Sequence, residues 1–123
     1  MLFAVNGTLM RGLELNPNML DAGASFVREA KTAPIYRLWS INDRYPGMIR
    51  VNEGGAAIAL EIWEVDGPGL IQILEREPPG LTIGWVLLED DSQVLGVLAE
   101  PYLVQDKVEI SSFGGWRAYI AHR

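Results

Sequence analysis

The sequence predicts an α+β fold: a mixed, mostly antiparallel, barrel-like sheet of six to seven short strands with a few short helices. Two observations predict it. Short apolar or alternating runs recur along the whole chain, separated by the Gly, Pro, Asn and Asp clusters that punctuate strands. The order of those runs lacks the regular strand–helix alternation of a doubly wound parallel sheet. The 123 residues, 49% hydrophobic and 21% charged, suit one globular domain spanning 1–123. No linker, low-complexity tract or repeat interrupts them.

Leu2 to Val5 is apolar and runs into Asn6-Gly7-Thr8, which reads as a buried strand entering a tight loop. Asn16-Pro17 opens a short helix, because proline at the first helical position gives up an amide that would be unpaired anyway. Gly23 sits where that helix would end. Ser25 to Lys31 and Tyr36 to Ile41 read as strands. Tyr45-Pro46-Gly47 reads as a turn, followed by a short strand from Met48 to Val51. Ala56 to Val65 is the longest predicted strand. Pro68 to Glu75 is a short helix stopped by Pro78-Pro79-Gly80. Leu81 to Leu88 and Val94 to Leu98 form a hairpin around Glu89-Asp90-Asp91-Ser92, and Gly115 to Ala121 forms a terminal helix.

Composition narrows the function classes. The net charge is −6 and the ten Lys and Arg are scattered singly, so no basic stripe offers itself to nucleic acid. The longest nearly apolar run, Gly54 to Ile62, is too short to cross a bilayer, and Met-Leu-Phe-Ala-Val carries no basic signal-peptide region. A cytoplasmic location and no membrane partner are expected. Without cysteine there is no disulfide, thiolate zinc site or cysteine nucleophile. The only histidine, His122, is next to last, which leaves no His-based metal site and no Ser-His-Asp triad; Ser111-Ser112 has no histidine beside it. Neither a metal nor a cofactor is expected.

Four stretches could carry chemistry. In Asn6-Gly7-Thr8-Leu9-Met10-Arg11-Gly12, glycine after a buried strand lets the backbone turn sharply, and successive N–H groups can make an anion-binding concavity. Thr8 adds a hydroxyl and Arg11 a charge-assisted contact. On the Ala56–Val65 strand, Glu61 shares a face with Ala57, Ala59 and Trp63. Small alanines beside a carboxylate leave room for a ligand, and desolvation there would raise the glutamate pKa and suit it to proton transfer. Glu61 is therefore the candidate catalytic residue; a solvent-facing glutamate on a half-buried strand is the plainer alternative. Glu75-Arg76-Glu77, between a helix and two prolines, reads as surface charge aimed at solvent. In Phe113-Gly114-Gly115-Trp116-Arg117-Ala118-Tyr119, Trp116 and Tyr119 share one helical face that would close the core.

The loop Val5 to Gly12 is similar to the Tyr-Gly-Ser/Thr-Leu signature of γ-glutamylcyclotransferase-like (AIG2-like) proteins, without the signature's tyrosine before Gly7. A fuller resemblance, from Phe3 to Ala121, is to the C-terminal domain of allophanate hydrolases. Leu13-Glu14-Leu15-Asn16, Thr32-Ala33-Pro34-x-Tyr36-Arg37-Leu38, Tyr45-Pro46-Gly47-Met48-x-Arg50-Val51 and Glu61-x-Trp63 carry it. So do Leu81-Thr82-Ile83-Gly84, Gly96-x-Leu98-x-Glu100-Pro101-Tyr102, and above all Glu109-Ile110-Ser111-x-Phe113-Gly114-Gly115-Trp116-Arg117-Ala118-Tyr119. The resemblance implies a γ-glutamylcyclotransferase-like fold and a place in urea and nitrogen metabolism. It also implies a binding loop of Asn6, Gly7, Thr8, Leu9, Met10 and Arg11 flanked by Tyr36 and Pro46.

That domain has been assigned decarboxylation of N-carboxycarbamate, after an amidase domain performs the first hydrolysis. These 123 residues carry no amidase-type Ser-Ser-Lys stretch, so a free-standing domain of this type is expected. It would bind, and decarboxylate or otherwise process, a small carboxylated or carbamoyl metabolite. The alternatives are a non-catalytic module associating with a separate amidase subunit and a γ-glutamyl cyclotransferase using Glu77. The last departs from the cyclotransferase pattern, because Ile73-Leu74-Glu75-Arg76-Glu77-Pro78 lacks the aspartate and glycine of Leu-Asp-x-x-Glu-Gly. A homodimer is left open.

Overall fold

A computed structural model describes residues 1–123. Its eight strands form two sheets. The larger has the order β2-β5-β1-β7-β6, built from β1 (Leu2–Val5), β2 (Ser25–Lys31), β5 (Ala59–Glu64), β6 (Leu81–Leu87) and β7 (Gln93–Ala99). Only β1 against β7 is parallel; the other pairs are antiparallel. The smaller sheet has the order β4-β3-β8, from β3 (Tyr36–Ile41), β4 (Tyr45–Arg50) and β8 (Val108–Glu109). The barrel is therefore not closed. The larger sheet curls until its two edges touch at one corner, where Ala33 N–H donates to the Leu87 carbonyl and Glu89 N–H to that of Lys31. Phe3, Val5 and Ile62 of this sheet share one apolar cluster with Leu38 and Met48 of the other. Each such side chain, fully buried, contributes roughly 1.5–3 kcal/mol.

Pro17 lies in the first turn of α1 (Asn16–Asp21). The carboxylate of Asp66 caps α2 (Gly67–Glu75) by accepting from Gly69 N–H at 2.8 Å, a contact that contributes about 1 kcal/mol. Tyr45-Pro46-Gly47 is not a turn but the start of β4. The β3–β4 turn is Asn42-Asp43, with φ of 55° and 60°, the left-handed pair that matches hairpin twist. Pro46 is tolerated because β4 is an edge strand. The predicted Ala56–Val65 strand is regular only over β5; Ala56 instead bridges to Tyr36. Two short elements were not predicted, α3 (Pro101–Val104) and β8. A 3₁₀ turn at Ser111–Phe113 leads into α4 (Trp116–His122). No helix is long and apolar enough to cross a membrane.

Candidate functional site

Glu61, central in β5, is 1% exposed. Burial pushes its carboxyl up, but four donors outweigh that and hold it below the ordinary glutamate value. The Arg11 backbone N–H donates to Oε1 at 2.9 Å and the Trp63 indole to the same oxygen at 3.1 Å. The Arg11 Nε donates to Oε2 at 3.1 Å and the Arg117 Nη2 to Oε2 at 3.2 Å. The raised pKa expected from the sequence is thus reversed, and Glu61 stays ionised near neutral pH. It is also not the solvent-facing carboxylate of the plainer alternative.

Local sequence explains how these groups meet. Gly12, at φ 74°, turns the opening loop back after Arg11, whose guanidinium lies 3.6 Å from the Phe26 ring centroid and also pairs with Glu29. Gly114, at φ 81°, ends the 3₁₀ turn in the left-handed region. Its carbonyl accepts Ala59 N–H at 2.8 Å, which docks the start of α4 on β5. A Cβ on Gly115 would lie 3.1 Å from that of Ala59, so small residues on both sides permit the approach. Arg117 is thereby delivered to Glu61, and its Nη2 also donates to the Arg11 carbonyl. The Phe113–Tyr119 block does close the core through Trp116, but it also builds the site through Arg117.

Above Glu61 opens a cleft of about 530 Å³, bounded by Met10, Lys31, Ala59, Glu89, Phe113 and Arg117. Three carboxylates, Glu29, Glu61 and Glu89, and two cations, Lys31 and Arg117, line it, with the Arg11 guanidinium behind Glu61 and Glu29. The Lys31 ammonium and the Nε and Nη1 of Arg117 bond to no other group of the protein. No three carboxylate or imidazole side chains gather to hold a metal ion.

The other half of the opening loop serves a different space. Asn6, Gly7, Thr8 and Leu9 line a cavity of only about 20 Å³ with Tyr45 and Glu77. This is room for about one water. Pro46 fills the remainder: a Cβ on Gly7 would lie 2.5 Å from its Cδ. Asn6 is structural on its amide side, where Nδ2 donates to the Val97 carbonyl at 3.0 Å. Glu77 does not aim at solvent as the prolines suggested; it turns into this cavity, and burial raises its pKa to about 7. The Tyr45 phenol is pushed up by burial and by the neighbouring Tyr102 and Glu77.

The predicted site residues thus separate. Asn6 to Leu9 and Pro46 face the small cavity, Met10 and Glu61 face the cleft, and Arg11 backs Glu61. Tyr36 faces neither: it is fully buried, and its hydroxyl accepts Leu87 N–H at 2.9 Å. Sequence reasoning missed Lys31, Glu89 and Arg117 as site residues. Arg117 carried a signal, since it follows the Gly-Gly pair that brings the backbone close.

Residues 1–121 match the allophanate hydrolase C-terminal domain family model. A urea amidolyase from Lachancea kluyveri is 30% identical over 95% of this chain, which spans only 7% of that protein. A solved uropathogenic E. coli-specific protein is 58% identical, with a TM-score of 0.96 over 99% of this chain and 96% of the other. Kluyveromyces lactis allophanate hydrolase is 31% identical, with a TM-score of 0.92 over 98% of this chain and 21% of that one. A more distant likeness, to an AIG2-like protein from Mus musculus, shows the γ-glutamylcyclotransferase-like fold: TM-score 0.63, 24% identity, 84% and 81% of the two chains.

Proposed function

The chain belongs to the allophanate hydrolase C-terminal domain family, and on that premise we propose that it binds a small carboxylated or carbamoyl metabolite in the cleft beside Glu61. One observation carries the reading. The cleft presents the Lys31 ammonium and the outer N–H groups of Arg117, while Glu61 holds Arg11 and Arg117 in place as a fixed anion. A ligand carboxylate pairs with those cations. A carbamoyl N–H finds the Glu89 carboxylate on the same wall, and the Phe113 ring offers an apolar surface. If the ligand is decarboxylated, the C–N bond breaks, CO2 leaves and the nitrogen takes a proton. Glu61, held ionised, is not that donor, so Glu61 serves as a positioning group.

Titration of the labelled protein with malonate and N-carbamoylglycine tests the proposal by NMR. Saturable shifts of the Lys31, Gly115 and Arg117 amides are expected, lost in Arg117→Ala. Absence of saturable shifts with either compound at millimolar concentrations sinks it.

A second reading, a non-catalytic module working with an amidase part, is favoured by the relatives in which the same domain is a small share of a urea amidolyase. Co-purification with a separately expressed amidase subunit, with no turnover by the chain itself, would support it. Cyclotransferase activity at Glu77 is not expected, because a water-sized cavity under Pro46 cannot admit a γ-glutamyl group. Release of 5-oxoproline from γ-glutamyl amino acids, abolished by Glu77→Gln, would contradict this.

A further inference from the structure

Taking the cleft as the small-molecule site proposed above, we infer that it selects a ureido monocarboxylate over a dicarboxylate of the same length, and that Glu89 makes the choice. The three carboxylates that line the cleft are matched by Lys31, Arg117 and the Arg11 guanidinium behind them. The site therefore has no surplus of positive charge. A dicarboxylate calls for a cation at each of its ends, whereas a monoanion that also offers N–H donors calls for a cation and an acceptor side by side. The second arrangement is the one that the sheet provides.

Strand register places these charges. Thr32 bridges Leu88 in antiparallel sense at the corner where the edges of the larger sheet meet. Lys31 and Glu89 are therefore directly opposite one another, and the Glu89 N–H donates to the Lys31 carbonyl at 3.0 Å. Residues so placed present their side chains to the same face. On the other side of Lys31 lies Ala59, and Glu29, two residues earlier in β2, lies opposite Glu61. One face thus runs from Glu89 and Lys31, past the small Ala59, to Glu61 and Glu29. Arg117 reaches down to this face at Glu61.

The three acids differ in what they are free to bind. Glu61 holds two guanidinium groups, and Glu29 accepts from the Arg11 Nη2 at 3.0 Å. Glu89 is exposed, and no donor of the chain reaches its carboxylate. Its backbone is nevertheless anchored. Beyond the bond to Lys31, the turn that follows is closed by Leu88 N–H to the Ser92 carbonyl at 2.8 Å and by Asp91 N–H to the Leu88 carbonyl at 3.0 Å. One end of the cleft therefore presents a cation and an anion as neighbours, neither of them bonded. A ureido acid satisfies both: its carboxylate pairs with Lys31 and the outer N–H groups of Arg117, and its urea N–H groups donate to Glu89. A dicarboxylate bound the same way sets its second carboxylate against that of Glu89, and the like charges repel.

NMR titrations at low ionic strength test the proposal by comparing N-carbamoylglycine with succinate. Succinate is its near-isostere, with CH2 in place of the inner N–H and a carboxylate oxygen in place of the NH2 group. The wild-type chain is expected to bind N-carbamoylglycine about fivefold or more tightly than succinate. In Glu89→Gln the two dissociation constants should converge, with succinate bound more tightly than by wild type and N-carbamoylglycine less tightly. Damage to the fold cannot imitate that result, because it would weaken both ligands. Glu89 is exposed and its backbone bond to Lys31 is kept in the variant, so unchanged far-UV circular dichroism is expected. Lys31→Met should weaken both ligands. Succinate bound as tightly as N-carbamoylglycine by wild type, or a ratio that Glu89→Gln leaves unchanged, overturns the proposal while the cleft stands as a carboxylate site. Binding of neither compound removes the site itself and the proposal with it.

Discussion

One loop, Asn6 to Arg11, serves two sites whose carboxylates behave oppositely. Glu61 is almost wholly inaccessible, yet it stays ionised, because two guanidinium groups, an indole and a backbone amide donate to it. Glu77 is less buried, yet its pKa rises to about 7, because no donor reaches it. Burial alone therefore does not set the charge state of a carboxylate; the donors that burial brings with it do. The first arrangement suits holding cations for an anionic ligand. The second leaves a group that can exchange a proton near neutral pH, in a cavity too small for more than water.

Removing Glu61 should have the largest effect. Glu61→Leu leaves Arg11 and Arg117 without their shared anion and the Trp63 N–H without its acceptor. Both guanidinium groups are nearly half exposed and can turn to water, so the cost, about 3 kcal/mol by urea denaturation at neutral pH, comes mainly from the Trp63 and Arg11 N–H groups left without an acceptor. A loss below about 1 kcal/mol would mean that the donors find other partners and would erase the contrast with Glu77.

Next in size is the pH dependence that Glu77 imposes, and its sign is opposite to that of Glu61. With a folded pKa above its unfolded one, Glu77 binds its proton more tightly in the native state. Stability is lost as pH rises from about 4.5 to about 7. The shift corresponds to about 3 kcal/mol as an upper figure. Glu77→Gln should therefore be more stable than wild type at pH 8, by up to that amount, and equal to it at pH 4. Glu61, with a lowered pKa, contributes stability that is present above its unfolded value and lost only as pH falls through the folded one. If wild type and Glu77→Gln have parallel stability curves from pH 4 to 8, the raised pKa is refuted.

Gly115→Ala probes the contact that brings Arg117 to the cleft. Its added methyl would meet the Ala59 Cβ at 3.1 Å, so a destabilisation of about 1–3 kcal/mol is expected. The predicted loss of ligand shifts should exceed that of Glu77→Gln, which lies on the other side of the loop. Equal binding in both variants would show that the position of α4 does not matter to the cleft.

What the sequence made legible follows the range of the interactions. β1, β2, β3, α1, α2 and the β6–β7 hairpin are set by local apolar runs and by Pro, Gly and Asn signals, and they fall close to where those signals lie. The turn at Asn42-Asp43 was equally local, but Pro46-Gly47 gave a stronger turn signal four residues later and masked it. β8 has two residues and no period to detect. The buried position of Glu61 could be suspected from its strand, but its partners Arg11 and Arg117 lie 50 and 56 residues away. The sign of its pKa shift was therefore beyond local reading. The inward turn of Glu77 depends on the loop after β1 and on Tyr45, and its flanking prolines suggested the opposite.

The smallest expected effect sharpens the comparison by testing the rim of the cleft against its floor. Arg11 pairs with both Glu29 and Glu61, at 3.0 and 3.1 Å, and distance alone ranks the two contacts equal. Their surroundings do not. The Glu29 side chain is 73% exposed and that of Glu61 only 2%, so water and salt screen the first pair and hardly reach the second. An exposed pair contributes about 0–1 kcal/mol, and Arg11 keeps Glu61 and the Phe26 ring when Glu29 is gone. Glu29→Gln should therefore cost no more than a few tenths of a kcal/mol in low salt and nothing measurable in high salt. Ligand shifts at Arg117 should be unchanged. A loss near that of Glu61→Leu would mean that the whole chain of charges, rather than the buried anion alone, holds the cleft together. The cleft and the Glu77 cavity would then differ in the number of charges they gather rather than in how those charges are buried.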